Sequence, residues 1–220
     1  MAIIFNGSNV SSVVFNGTNL ANFKFNGTEV FEQWVEYTFP NSNAKLSSDN
    51  SLGFNVYQAS NNSDGYKIFD NNSGTYGGTN LSTTLFNAAI VFPFPILIKS
   101  VSITNWSGSA YTNNANLIVG KILVSPNVES AAFSPGGSNV QVYADVNRSS
   151  VSGTTGGKTT HSNSSFNGTS IRSIDLYSTK ETSNWSGGNS NYGCRVGEMS
   201  VTFYVKASDL AAWKSQYSIS

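Results

Sequence analysis

Charge is what this 220-residue chain has least of. Asp, Glu, Lys and Arg make up 11% of it, and the twelve acids balance the twelve bases, against a usual charged share of about a quarter. A neutral chain carries no electrostatic footprint for nucleic acid or an anionic membrane surface, so neither is expected as a partner. The one cysteine, Cys194, excludes an intrachain disulfide, and a small buried apolar residue is its expected role. The one histidine, His161, lies in a Gly- and Thr-rich stretch and is expected as a solvated loop residue. No nucleophile motif accompanies it, no His/Cys cluster suits zinc, and no Gly-rich phosphate loop carries a lysine after a strand. The longest apolar run, Ala88 to Ile98, contains Pro93 and Pro95 and is too short to span a bilayer. The N-terminus shows no basic region ahead of a long apolar stretch, so a secretory signal is not expected.

Asn, Ser, Thr and Gly fill the space left by charge. With 39% hydrophobic and 13% aromatic residues, the chain can still build a core. Sequons at Asn16, Asn26, Asn80, Asn105 and Asn184 follow from this turn vocabulary and are not expected to carry glycans.

The first thirty or so residues repeat a ten-residue unit. Ile3-Ile4-Phe5-Asn6-Gly7-Ser8-Asn9-Val10 is followed by Val13-Val14-Phe15-Asn16-Gly17-Thr18-Asn19-Leu20 and Phe23-Lys24-Phe25-Asn26-Gly27-Thr28-Glu29-Val30. Asn-Gly between short apolar runs predicts a type I′ hairpin turn, because both residues accept positive φ. With the turn there, Phe5 faces Ser8, Phe15 faces Thr18, Phe25 faces Thr28, and Lys24 faces Glu29. Phe5, Val10, Phe15, Leu20, Phe25 and Val30 then share one apolar face. A meander of very short strands satisfies all three units; a small solenoid of ten-residue coils is the alternative. Such a sheet is too small to be stable alone. Its cover is either the rest of the chain or another copy, so these six residues are the candidate oligomerisation and anchoring set.

Beyond a junction rich in aromatics (Phe31, Trp34, Tyr37, Phe39), strand signals recur every ten to fifteen residues. The best are Leu52 to Gln58, Ala89 to Phe92, Lys99 to Thr104, Leu117 to Ser125, Val140 to Val146, Ser170 to Tyr177 and Met199 to Lys206. Many short strands between Gly/Asn/Ser clusters predict a β-sandwich or barrel. Pro93 and Pro95 are expected at a strand edge. Only the C-terminus predicts a helix. There Ser208 is the expected N-cap, Leu210, Trp213 and Tyr217 lie on one face, and the helix is expected to close the end of the sandwich. The predicted fold class is all-β: a hairpin-repeat module over residues 1–36, then a jelly-roll β-sandwich over 37–220 with a short terminal helix.

The opening repeats resemble the FNG-type repeats at the N-termini of phage virion proteins, particularly tail and fibre proteins. A second resemblance covers residues 38–205. Tyr66-Lys67-Ile68-Phe69-Asp70-Asn71-Asn72 is similar to the Ala-Phe-Asp-Gly segment of discoidin-like (F5/8 type C) jelly-roll domains. Ala89 to Ile103 resembles that family's strand pair around a proline, and Arg195 to Phe203 its closing strand. Asn71 stands where Gly is usual, Tyr76 where a Trp often sits, and the terminal disulfide is absent. The resemblance implies a sandwich that often carries a calcium ion, for which Asp64 and Asp70 are the candidate ligands. As residues alone, Asp64-Gly65 is equally a turn and Asp70 a loop cap.

Aromatics in neutral loops are the remaining signal. Tyr76, Trp106, Tyr111, Trp185 and Tyr192 all lie in Gly/Ser/Asn-rich segments, and the tetrapeptide Asn-Trp-Ser-Gly occurs at 105–108 and again at 184–187. Rings can stack on the apolar face of a sugar while Asn and Ser bond its hydroxyls; alternatively each Trp plugs an end of the sandwich core. The chain is therefore expected to be a non-enzymatic phage virion structural protein, a tail appendage, fibre or head decoration assembled in the host cytoplasm. It would associate with itself, as a trimer by analogy with fibres, and with other virion proteins, and it could attach to a host-surface glycan. The alternatives are a carbohydrate-binding module of a secreted protein and a glycan-cleaving enzyme.

Overall fold

The computed structural model describes residues 4–5, 8–9, 13–15, 18–20, 22–25, 28–58, 62–72, 74–75, 77–79, 85–105, 119–131, 136–147, 158–179 and 195–220. The chain divides into two compact units, one of Met1–Tyr37 with Tyr204–Ser220 and one of Thr38–Phe203.

In the first unit the repeats form hairpins in the register that the Asn-Gly turns predict. β1 (Ile4–Phe5) pairs with β2 (Ser8–Asn9) through Ile4↔Asn9 and Phe5↔Ser8. β3 (Val13–Phe15) pairs with β4 (Thr18–Leu20) through Val13↔Leu20 and Phe15↔Thr18. β5 (Asn22–Phe25) pairs with β6 (Thr28–Glu32) through Phe25↔Thr28 and Lys24↔Glu29, the expected opposite-charge pair. Two expectations need correction. The hairpins form separate two-stranded sheets, not one continuous meander. The third also shifts register between Phe23 and Lys24, so Phe23 pairs with Phe31 and not Val30; one extra residue on one strand is a β-bulge.

The chain then enters β7 (Trp34–Phe39). Its start belongs with the terminal helix α1 (Ala207–Gln216). The Ala207 amide donates to the Gln33 carbonyl at 2.8 Å. The Glu32 carboxylate, only 7% exposed, takes the Lys206 ammonium at 2.5 Å and the Ser208 hydroxyl at 2.6 Å. Ser208 is therefore not the N-cap; Lys206 occupies that position without a side-chain cap. Buried Trp213 meets Tyr37 edge-on at 6.0 Å, and the Lys214 ammonium lies 5.5 Å from the Tyr37 ring centroid. The helix thus groups with the N-terminal segment.

The second unit is a jelly-roll-like sandwich. β8 (Asn55–Gln58), β9 (Asn62–Ser63), a 3-10 turn at Gly65–Phe69, and β10 (Gly77–Thr79) precede the long β11 (Leu85–Asn105). β12 (Val119–Ser125), β13 (Gln141–Asn147), β14 (Lys158–His161), β15 (Ser170–Thr179) and β16 (Arg195–Lys206) follow. The main sheet order is β13-β12-β15-β11-β16-β10-β9, with β8 and β14 also on β11 and β7 on β16.

β11 is one strand where the sequence predicts two. It runs through Pro93 and Pro95, and its register with β15 breaks between Val91 and Ile96, where proline has no N–H to give. Arg172 occupies the break: its Nε and Nη2 donate to the Phe92 carbonyl at 3.3 and 3.1 Å. Before the break β11 pairs with β8 and β15; after it, with β15 again at Ile96 and Leu97 and then with β14.

The core is an aromatic chain. Phe39 stacks on Phe54 at 4.1 Å, Phe54 meets Phe92 edge-on at 5.4 Å, and Phe92 meets Phe203 edge-on at 5.4 Å. All four are at most 1% exposed. Burial of each is worth about 1.5–3 kcal/mol, before the added gain from edge-to-face geometry.

Candidate functional site

The best-defined polar site forms where the 3-10 turn ends. Asp70 closes that turn, and Asn71 follows with φ 56°. This left-handed position explains why Asn can stand where the discoidin-like pattern has Gly. The reversal turns the Asn72 amide back, and it donates to Asp70 Oδ1 at 2.9 Å and to Glu198 Oε2 at 2.9 Å. Thr75 Oγ1 lies 2.6 Å from Asp70 Oδ2 and 2.8 Å from the Asn72 carbonyl. Glu198 comes from β16, and its Oε1 is buried without a hydrogen-bond partner.

Burial pushes the Glu198 carboxyl up to about 9, and the neighbouring Asp70 carboxylate adds to the shift. The Asn72 and Asn71 amides and Lys158 pull the other way without cancelling it. A buried carboxyl facing a second carboxylate is stable only if it holds a proton or shares a cation. Two carboxylates, a hydroxyl and backbone carbonyls are the hard oxygen donors that calcium takes, and the orphaned Oε1 fits such an ion. Among the described residues no three or more His, Cys, Asp or Glu side chains converge as a metal site, so this set has two carboxylates and no more.

Asp64 and Asp70, the expected ligands, each have partners of their own. Asp64 holds Lys67 at 2.7 Å and raises Asp49, whose carboxyl burial already pushes up. Asp70 meets Glu198 instead. Sequence reading missed Glu198 because it lies 126 positions from Asn72; the one available signal was an acid inside the apolar closing strand.

His161 is on β14, its backbone paired with Val101, not in a solvated loop. It is half-buried, its Nε2 is buried without a hydrogen-bond partner, and burial lowers its pKa, so the neutral imidazole is favoured. Loop-like composition hid a strand whose partner, the end of β11, supplies the hydrogen bonds.

Tyr76, Trp106, Tyr111, Trp185, Tyr192 and Cys194 lie outside the described residues. The strand ends that flank the loops are described, and they fall on one row. Leu85 pairs with Thr179, Thr179 with Val119, and Val119 with Asn147. Leu85 starts β11, Val119 starts β12, Asn147 ends β13 and Thr179 ends β15. The connections 80–84, 106–118, 148–157 and 180–194 are thus all attached at one end of this four-stranded part of the sheet. Of the anchoring set, Phe5, Phe15, Leu20, Phe25 and Val30 are on described hairpin strands, and Val10 lies outside the described residues.

Comparison with protein-family models gives no match, and comparison with curated proteins gives none. Solved structures do match. A family 32 carbohydrate-binding module of Clostridium perfringens NanJ, in complex with galactose, is 11% identical with a TM-score of 0.45, over 76% of this chain and 99% of that one. A CBM32-3 module from a C. perfringens family 31 glycoside hydrolase is 13% identical with a TM-score of 0.47, over 72% and 93%. A fucolectin from striped bass (Morone saxatilis) serum is 13% identical with a TM-score of 0.45, over 71% of this chain and 47% of that one.

Proposed function

We propose that this chain is a non-enzymatic carbohydrate-binding β-sandwich carried by an N-terminal anchoring module. The observation that carries the binding reading is the row Leu85–Thr179–Val119–Asn147. It brings together the Val119 end of connection 106–118 and the Thr179 end of connection 180–194, which holds Trp185, while Trp106 follows Asn105 at the other end of β11. Trp106, Tyr111, Trp185 and Tyr192 are the proposed stacking residues, with Tyr76 as a fifth. Their neutral Asn/Ser surroundings suit an uncharged sugar. Asp70, Thr75 and Glu198 are the proposed calcium ligands, and the ion's part would be to brace the loop that leads to Tyr76. The test is an immobilised glycan panel probed with the full chain, with Trp106→Ala and Trp185→Ala as the paired variants.

The anchoring reading rests on the three hairpins, each paired next to its Asn-Gly turn as the sequence predicts. Each is a two-stranded sheet too small for independent stability, so its apolar row needs a partner surface. Self-association through residues 1–36 in a virion appendage, with threefold symmetry, is the proposed use. Light scattering at matched concentration tests it: the full chain is expected as an oligomer and a chain lacking residues 1–33 as a monomer. Two monomers would overturn it.

A further inference from the structure

Among the described residues, four large apolar side chains are more than a third exposed, and two of them, Trp34 and Tyr204, share one face of the β7–β16 pair. Two hydrogen bonds set the register of that pair. The Ala207 amide donates to the Gln33 carbonyl at 2.8 Å, and Thr38 Oγ1 lies 3.0 Å from Thr202 Oγ1. Gln33 to Thr38 and Ala207 to Thr202 are steps of equal length, so the strands run antiparallel with no extra residue between these bonds. Trp34 is then opposite Lys206, and Glu36 opposite Tyr204. Side chains alternate along a strand: Trp34, Glu36 and Tyr204 are exposed and Lys206 half-buried, while Phe203 and Val205 are buried on the other side of β16. The outer face is therefore a grid of four, with two rings on one diagonal and two opposite charges on the other. All four residues belong to the first compact unit.

From this we infer that the face of Trp34, Glu36, Tyr204 and Lys206 is a twofold contact onto a second copy of this chain. The inference rests on the anchoring reading above and adds the end of β16 to that module. The pattern of the grid selects the occupant, because it is complementary to itself. A twofold axis lying in the contact plane along the Trp34–Tyr204 diagonal sets each ring on the same ring of the second copy and each Glu36 against the other copy's Lys206. An axis along the strands, across them, or along the charge diagonal sets rings on charges or like charges together. Stacked sheets lie about 10 Å apart, a gap that two facing side chains fill. Lys206 already holds Glu32 in its own chain, and an ammonium with three donors can take a second carboxylate. The face is also continuous with the hairpins, since Gln33 alone separates β6 from Trp34. Four residues a side fall well short of the roughly 20–30 of a stable interface, so the contact does not hold two single chains. It acts where the hairpins have already gathered several copies and the contacts reinforce one another. With threefold hairpins, the result is two trimers back to back, a closed symmetry.

Sedimentation velocity of the full chain, Trp34→Ser and Glu36→Lys at matched concentration is the first arm of the test. The inference expects each substitution to halve the mass of the assembly, because it undoes the twofold contact and leaves the hairpin contact. The second arm uses the unsubstituted sequence, so a variant that fails to fold does not decide the matter. Assemblies made from a mixture of nitrogen-15-labelled and unlabelled chain are treated with a carbodiimide, which joins a carboxylate to an ammonium in contact, and the peptides are weighed. A Glu36–Lys206 link between a labelled and an unlabelled peptide is the expected product. If the full chain and both variants share one mass above that of a monomer and every Glu36–Lys206 link lies within one chain, the twofold contact is wrong and the hairpin contact stands. If the full chain runs as a monomer, the anchoring reading falls and takes this one with it.

Discussion

Asp70 and Glu198 share one backbone N–H: the Asn72 amide lies 2.9 Å from each carboxylate. Burial, with the neighbouring Asp70 carboxylate adding to it, leaves Glu198 holding its proton up to about pH 9.

The sign of the resulting pH dependence is opposite to that of most acids. Between an unfolded pKa near 4.5 and a folded one of about 9, the folded state binds a proton that the unfolded state has lost. Metal-free protein should therefore lose stability as pH rises through that window, by on the order of a few kcal/mol. Glu198→Gln should flatten the slope, because the neutral amide needs no proton. Calcium at pH 8 should raise the melting temperature of the native chain by several degrees and leave Glu198→Gln nearly unmoved. Thermal melts in chelator and in calcium, from pH 5 to pH 9, decide this. An identical slope in both proteins would show that Glu198 does not control it.

Phe92 lies at the centre of the aromatic chain, in edge-on contact with Phe54 and Phe203. Its carbonyl also accepts the Arg172 guanidinium at the register break. Phe92→Ala should cost about 3–5 kcal/mol in urea denaturation. Arg172→Met keeps the stem and removes the donors, and should cost about 1–3 kcal/mol through the orphaned carbonyl. Equal small losses in both would mean that the break collapses without strain.

Helix α1 depends on the segment before β7. Glu32 holds Lys206 and Ser208, and Gln33 accepts the Ala207 amide. Removing residues 1–33 should leave the 38–203 sandwich folded while α1 frays. Hydrogen exchange should show fast amides across 207–216 against protected strands β11 and β15. Glu32→Gln should produce a weaker version of the same change. Protected helix amides in the truncated chain would mean that α1 is held by other contacts.

Local chemistry was legible in the sequence and distant pairing was not. Asn-Gly specifies its own turn, so the registers Phe5↔Ser8 and Phe15↔Thr18 follow from neighbouring residues. The alternation over Met199 to Lys206 likewise marks β16. By contrast, the prolines of β11 suggested an interruption, because nothing nearby in sequence announces Arg172 as the group that takes up the freed carbonyl. His161 looked like loop because β14 is polar and is held by hydrogen bonds to β11. Asp64 looked like the partner of Asp70 because it was close in sequence. The fold gave it Lys67 and brought Glu198 in from the far end of the chain.

The central claim is that the loop aromatics bind sugar. Its most direct test measures glycan-panel binding and melting temperature together for the full chain, Trp106→Ala and Trp185→Ala. The account predicts that the native chain binds at least one neutral glycan. Each variant should weaken that binding by about tenfold and move the melting temperature by no more than a few degrees. Losses of about 3–5 kcal/mol in stability from both substitutions would contradict it, since they would make the two rings part of the sandwich core and not its ligand surface.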